Sequence, residues 1–254
     1  MNTLNQLLDK IARARDLDFG TIFSQSISLF KKVWVQGLVI VLLTMLMMLP
    51  FYLIIYIPMI AMGFFSAESI QNPQDLSPLL MVLLGIFVLV FAFFVMVITF
   101  GLKAAFYRIC KLKDLEQMGG DDYFFYFKKP YLGKTISLSL ATFGISVLAL
   151  LLCVFPVIYV MVPLTLVNVI YAFHPDLSTS EIIKVGFKLG NKKWLLTFGL
   201  IIISSFLANI VGFLMCCIGI YVTMSFAYLP AYYIYKESVG FDENQVEDPH
   251  QRLY

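Results

Sequence analysis

Four long stretches of this chain contain no Asp, Glu, Lys or Arg: residues 33–67, 76–102, 135–173 and 194–235. A helix needs roughly 20 apolar residues to cross the hydrocarbon core of a bilayer. The first two stretches each suit one such helix, the first with some excess. The last two are about twice as long and read as pairs. Six transmembrane helices follow, with spans at about 35–62, 79–102, 135–154, 156–173, 194–215 and 219–235. The expected fold class is all-α: a polytopic membrane protein whose six helices form three hairpins, with cytoplasmic interfacial elbow helices. Composition agrees, since only 13% of the residues are charged against about 25% in a soluble domain.

The uncharged pairs need turns. In the third stretch the turn is expected near 153–156, because Pro156 removes a backbone donor. In the fourth it is expected near 216–219, where Gly219 weakens helix propensity. The first pair has a real loop, SAESIQNPQDLSP (66–78), ending in a Ser77-Pro78 pair that suits a cap and a first-turn proline. Six crossings put all 18 Lys and Arg on one side, while the opposite connections hold only Glu68 and Asp75. Basic residues concentrate on the cytoplasmic side, so both termini read as cytoplasmic and the membrane as a bacterial inner (plasma) membrane. The first apolar run is too long for a cleaved signal peptide.

Three entries into the uncharged stretches share one device: FKKVW (30–34), FKKPY (127–131) and NKKW (191–194). Lys31, Lys32 and Trp34 form the first anchor. Lys128, Lys129 and Tyr131 form the second, and Lys192, Lys193 and Trp194 the third. A lysine can run its methylenes along apolar surface while its ammonium stays in water. Trp and Tyr favour the same depth, and anionic lipids contribute about 1 kcal/mol per nearby cation. The segments before the pairs, DFGTIFSQSISLF, DDYFFYF and STSEIIKVGFKLG, suggest a repeat of elbow helix, anchor, helix up and helix down. Ser178 and Glu181 have capping-box spacing. A sharper alternative makes the three elbows a platform for lipid headgroups or a partner protein.

Residues 1–34 form an amphipathic cytoplasmic segment. Leu4, Leu7, Leu8 and Ile11 share helical spacing beside Lys10, Arg13 and Arg15, the pattern of an interfacial helix. A second short helix is expected over 19–30. Residues 35–236 form the six-helix domain, and 237–254 an acidic tail expected to be disordered. Tyr228, Tyr232, Tyr233 and Tyr235 are expected in the inner aromatic belt.

The spans hold no ionisable charge, which would mark a functional site by default. That weighs against ion-coupled transport, carboxylate proteases and voltage sensing, and leaves facilitators with polar groups open. Asn168 and Asn209 need partners if buried; interhelical bonds are expected, with a substrate site as the alternative. The two histidines, His174 and His250, supply too few ligands for a metal, and His174 reads as an interface residue. No cofactor is expected. Cys153 pairs with Cys216 or Cys217 in an oxidising compartment, or all three remain small buried hydrophobes. Prolines 50, 58, 163 and 230 bend helices within the spans, opening a cavity or simply shaping the bundle.

The stretch PVIYVMVPLTLVNVIYAFHP (156–175), followed by STSEIIKVGFKLGNKKW and another hairpin, resembles a loose group of six-helix bacterial membrane proteins. These are the YciC-like proteins and the membrane domain found beside some glycerophosphodiester phosphodiesterases. The resemblance covers about residues 127–236 and implies an inner-membrane location. The soluble phosphodiesterase domain has no counterpart here, so its activity is not carried over. The expected function is non-enzymatic: a scaffold or accessory subunit of a membrane complex. Alternatively, the chain binds or facilitates passage of a lipid or other lipophilic molecule in a cavity lined by Asn168, Asn209 and kinked helices. The expected partners are the lipid bilayer, its anionic headgroups and other membrane proteins; nothing points to nucleic acid.

Overall fold

The computed structural model describes residues 4–61, 78–152, 154–215 and 218–241, and every regular element among them is helical. In order these are α1 (Leu4–Arg13), α2 (Phe19–Ala61), α3 (Pro78–Asp114), a 3-10 turn (Phe125–Phe127), α4 (Lys129–Leu151), α5 (Val154–Phe173), α6 (Thr179–Lys192), α7 (Trp194–Leu214), α8 (Ile218–Thr223), a second 3-10 turn (Met224–Tyr228) and α9 (Leu229–Ser238). Five helical stretches are long and apolar enough to cross a membrane: Phe19–Ile54, Gly85–Asp114, Lys129–Leu151, Phe155–Phe173 and Trp194–Leu214. The loop expected at 66–78 lies outside the described residues except for Pro78, and so do Cys153, Cys216 and Cys217 with the pairing considered for them.

Two helices are longer than a bilayer requires. The 43 residues of α2 make a rod of about 65 Å, and the 37 of α3 one of about 55 Å. The short helix expected over 19–30 is the opening part of α2, which passes through FKKVW unbroken because neither Gly nor Pro occurs between 21 and 36. Asp18 holds that start: its carboxylate accepts from Thr21 N at 2.7 Å and from the Thr21 hydroxyl at 2.8 Å. These bonds lower the Asp18 pKa. α3 likewise continues past Leu102 to Asp114, so the expected loop at 103–134 begins only after that residue.

The three lysine pairs therefore occupy three geometries. The first lies within a continuous helix. The second opens α4, with Lys128 extended (φ −67°, ψ 150°) and a proline in the first turn. The third lies at the bend between α6 and α7, where Lys193 leaves helical values (φ −115°, ψ 26°). The repeat does not carry one shared backbone arrangement. Where helix breaks were expected at 153–156 and 216–219, α4 ends at Leu151 and α7 at Leu214.

Burial divides the molecule along its length. Large apolar side chains are exposed at Leu46, Leu49, Ile54, Ile60, Val82, Ile86, Leu148, Leu151, Phe155, Phe206 and Phe213, whereas 98–110, 162–173 and 229–235 are mostly or wholly buried. From Val162 to Phe173, α5 is buried nearly all round, as expected of a helix apolar on every face and enclosed by protein. It is packed against α3, α4, α6, α7 and α9.

The closest of these contacts uses glycine. Gly186 and Gly190 are one turn apart on α6; a Cβ on Gly190 would lie 2.8 Å from Pro163 Cα, and one on Gly186 3.0 Å from Val167 Cα. Small residues spaced by four let two helix backbones approach. Since Gly190 faces Pro163 and Gly186 faces Val167, α6 runs back antiparallel along α5. Its start is fixed by the capping box anticipated in the sequence: Glu181 N donates to Ser178 Oγ, and Ser178 N donates to Glu181 Oε2 at 2.8 Å. The Ser178 hydroxyl, which donates to Glu181 Oε2 at 2.7 Å, and the Ser178 backbone N–H lower the Glu181 pKa.

Two surface elements of the sequence reading prove to be covered. The apolar stripe of α1, expected to face lipid, is turned toward α6, with Leu7 and Ile11 fully buried. Tyr232, Tyr233 and Tyr235, expected in the aromatic belt, are core residues. The tail boundary drawn at 237 moves as well: α9 runs to Ser238, and the Phe241 ring packs 4.9 Å from that of Phe173.

Replacing Gly190 by leucine tests the α5–α6 contact. The new side chain has no space against Pro163, so stability falls by about 1–3 kcal/mol, read as a lower Tm of the detergent-purified protein. Gly133→Leu, whose Cβ position is open, leaves Tm nearly unchanged.

Candidate functional site

A cavity of about 430 Å³ lies between α3, α4, α5, α7 and the second 3-10 turn. Along α3 it extends from Met96 to Tyr107 and along α5 from Val157 to Asn168, a height of roughly 17 Å in each case. Both helices run toward the charged end of the molecule, so the higher-numbered residues mark that end. There the lining is polar, with Lys103, Asn168, Tyr107 and Tyr228; farther away Met96, Val157, Val160, Met161 and Ile201 dominate.

The polar groups of the wall are unequally satisfied. Thr99, Ser146 and Thr165 donate their hydroxyl protons to carbonyls one turn earlier in their own helices. Asn168 is only 5% exposed and donates through Nδ2 to Phe100 O across the α3–α5 contact at 2.9 Å. Its Oδ1 is buried without a hydrogen-bond partner among the described residues. The Lys103 ammonium stands 4.5 Å from the centre of the Tyr228 ring, a cation–π contact. Among the described residues no carboxylate lies within ion-pair distance of it. The cavity thus combines apolar walls with a cation at one end that stands against an aromatic ring and pairs with no described carboxylate.

Of the two asparagines singled out in the sequence, Asn168 makes the interhelical bond and faces the cavity. Asn209 does neither: it is exposed and its Nδ2 donates to Ser205 O of its own helix at 2.8 Å. The nine anchor residues are also separated. Lys31, Lys129 and Trp34 are exposed. Lys32 pairs with Glu116 at 3.0 Å and Lys128 with Asp122 at 2.6 Å. Tyr131 is half-buried and stacked on Phe125 with ring centres 4.7 Å apart. Trp194 stacks on Phe198 at 4.8 Å and donates its indole N–H to Tyr159 O.

Lys192 and Lys193 differ most from a headgroup anchor. Lys192 Nζ donates to Ile11 O at 2.8 Å and Ala12 O at 2.6 Å, and Lys193 Nζ to Arg15 O at 2.6 Å. Lys193 is 5% exposed. A helix ends with carbonyls that lack partners, and lysine can supply them. This pair fastens the C-terminal end of α1 to the junction of α6 and α7.

Sequence reasoning missed a polar cluster at the charged end. Asp114, at the last turn of α3, accepts from the Tyr232 hydroxyl at 2.8 Å, the Tyr233 hydroxyl at 3.0 Å and Lys236 Nζ at 2.6 Å. On the same helix α9, the Tyr235 hydroxyl lies 2.7 Å from Nε2 of the buried His174. The buried Lys111 ammonium stands 4.7 Å from the Phe241 ring centre. A signal existed: YYIYK (232–236) places two hydroxyls and a cation on adjoining positions of a helix, and Asp114 is the first acid after residue 75. What was lacking was the knowledge that α3 extends far enough to meet them. Among the described residues, no three His, Cys, Asp or Glu side chains converge as a metal site.

Fold and site together define an all-helical protein with membrane-length apolar helices and an amphipathic cavity at the edge of its packed half. Comparison with protein-family models, with curated proteins and with solved structures finds no match to this chain.

Asp114→Ala leaves Lys236 and two tyrosines without their acceptor in a largely buried setting. Chemical denaturation is expected to show a loss of about 2–3 kcal/mol. Lys32→Ala, which breaks an exposed pair, costs less than about 1 kcal/mol.

Proposed function

We propose that this protein is a non-enzymatic membrane protein that binds a lipid or other lipophilic small molecule between α3, α5 and α7. The cavity carries this reading. Its volume of about 430 Å³ falls within the roughly 300–1,000 Å³ of small-molecule sites, and its apolar walls with a few polar groups at one end match their usual chemistry. The Thr99, Ser146 and Thr165 hydroxyls are already spent within their own helices, which leaves those parts of the wall suited to an apolar chain.

The proposed setting is a bacterial inner membrane crossed six times, with both termini in the cytoplasm. The distribution of all 18 Lys and Arg supports the orientation. A sixth crossing is supported by residues 218–238, helical throughout as α8, a 3-10 turn and α9. Such breaks are tolerated where neighbouring groups satisfy the backbone, and the Thr223 hydroxyl lies 2.7 Å from Ala208 O of α7. Packing of α2 on α3, α4 on α5 and α7 on α8 supports three hairpins. The bend at Lys193 supports an elbow role for α6. The resemblance to YciC-like proteins belongs to the same reading.

Accessory membership of a larger membrane complex is the second reading. It is favoured by Met118, 93% exposed, and Phe124, 44% exposed, beside the charged connection between α3 and α4. Apolar side chains at the charged end suit contact with another protein.

Two measurements separate these ideas. Native mass spectrometry of gently extracted protein is expected to show a bound lipophile at one per chain. Ser205→Trp, which fills the cavity, removes it while the protein stays folded; an empty wild-type protein counts against the binding reading. Glu68→Cys is expected to react with an impermeant thiol reagent in intact cells, and reaction only after lysis would reverse the orientation.

A further inference from the structure

The cavity is a cleft whose two ends have different surroundings. Helices α3, α4 and α5 pack on one another, whereas α7 packs on α5 and, among the described residues, not on α3 or α4. The space between is bounded by Met96, Thr99 and Ser146 on one side and by Ile201 and Ser205 on the other. Toward the apolar end Met161 is both a wall residue and 37% exposed, and Ile202 and Phe206 beside the α7 wall are exposed as well. Exposed apolar patches mark contact with a membrane or another protein, and on helices of membrane length they make this end suited to hydrocarbon. The other end carries Lys103, partly buried, with its ammonium 4.5 Å from the centre of the Tyr228 ring, itself part of the wall. Among the described residues Lys103 makes no hydrogen bond and no ion pair. A ring face attracts a cation but leaves the N–H donors of the ammonium without an oxygen acceptor.

We propose that the cleft takes an amphiphile from the surrounding bilayer, with one hydrocarbon chain and an anionic carboxylate or phosphate headgroup whose charge sits at Lys103. The inference rests on the lipophile-binding reading above and narrows it to one charge class. An oxyanion gives the ammonium a charge-assisted hydrogen bond, while the Tyr228 ring holds the cation at the wall. The chain lies along Met96, Val160, Met161 and Ile201; Met96 is two turns before Lys103 on α3, roughly 10 Å along the helix. A volume of about 430 Å³ is at the small end of the range of roughly 300–1,000 Å³ for ligand sites, which favours one chain over two. An uncharged guest leaves the ammonium facing only the ring, and a cationic headgroup is repelled by it.

The test uses the full chain, delipidated in detergent, and titrates three probes by native mass spectrometry. Oleate carries a carboxylate, oleoyl lysophosphatidate a phosphate, and methyl oleate the same chain without charge. Both anions are expected to bind more tightly than methyl oleate, and the tighter of the two identifies the headgroup. Lys103→Gln weakens the anions about tenfold, the size of one charge-assisted hydrogen bond, and leaves methyl oleate unchanged; Lys103→Arg restores them. Ser205→Trp, which fills the cleft, abolishes binding of all three. Anion binding that survives Ser205→Trp and still falls with Lys103→Gln places the lysine at the outer surface and overturns the inference. Equal binding of the three probes to the wild-type protein overturns it even if a variant misfolds, and leaves the broader lipophile reading intact. Binding of none of the three also overturns it: a lipophile retained on purification then keeps the broader reading, and an empty protein removes both.

Discussion

The enclosure of α5 is the constraint from which the rest of the molecule follows. From Val162 to Phe173 this helix meets protein on nearly every side. Such a position requires close packing on one face and polar satisfaction on another. Gly186 and Gly190 supply the first by removing the side chains that would hold α6 away. Asn168 and Tyr171 supply the second, the amide to Phe100 O and the hydroxyl 2.7 Å from Thr135 Oγ1. Once α5 is central, α3 and α9 must flank it, and Asp114 then meets Tyr232, Tyr233 and Lys236.

Apolar residues serve two different ends in this chain. In the packed half they close against protein, as at Leu166, Val167 and Ile170. In the other half they remain exposed, as at Leu46, Phe155 and Phe213, on helices long enough to cross a membrane. The cavity lies where one regime gives way to the other. Helices packed around α5 at the charged end leave space between α3, α5 and α7. The polar end of that space coincides with the end of an uncharged run at Lys103. This coincidence gives the cavity its amphipathic character.

The lysine pairs show how similar local sequence acquires different work. Lys192 and Lys193 find carbonyls at and just beyond the end of α1, because α6 brings them there. Lys32 and Lys128 find acids on the connection that follows α3. Lys31 and Lys129 remain exposed. An ammonium on a flexible stem takes whichever acceptor the backbone brings within reach, and the motif alone does not say which.

Much of the architecture was legible in the chain. Absence of charge over long runs determined that they are helices of membrane length, since only a helix satisfies its own backbone in an apolar surrounding. The Ser178–Glu181 spacing determined a helix start, because capping is local. Tertiary structure alone decided which apolar residues face protein. Hydrophobicity measures avoidance of water and is the same whether lipid or protein replaces it, so Tyr232 and Leu7 could not be placed in the core by pattern. It also decided that Asn168 lines a cavity while Asn209 turns outward, a difference set by the rotation of α5 and α7 about their axes. That rotation depends on glycines and partners distant in the chain, and no local spacing encodes it.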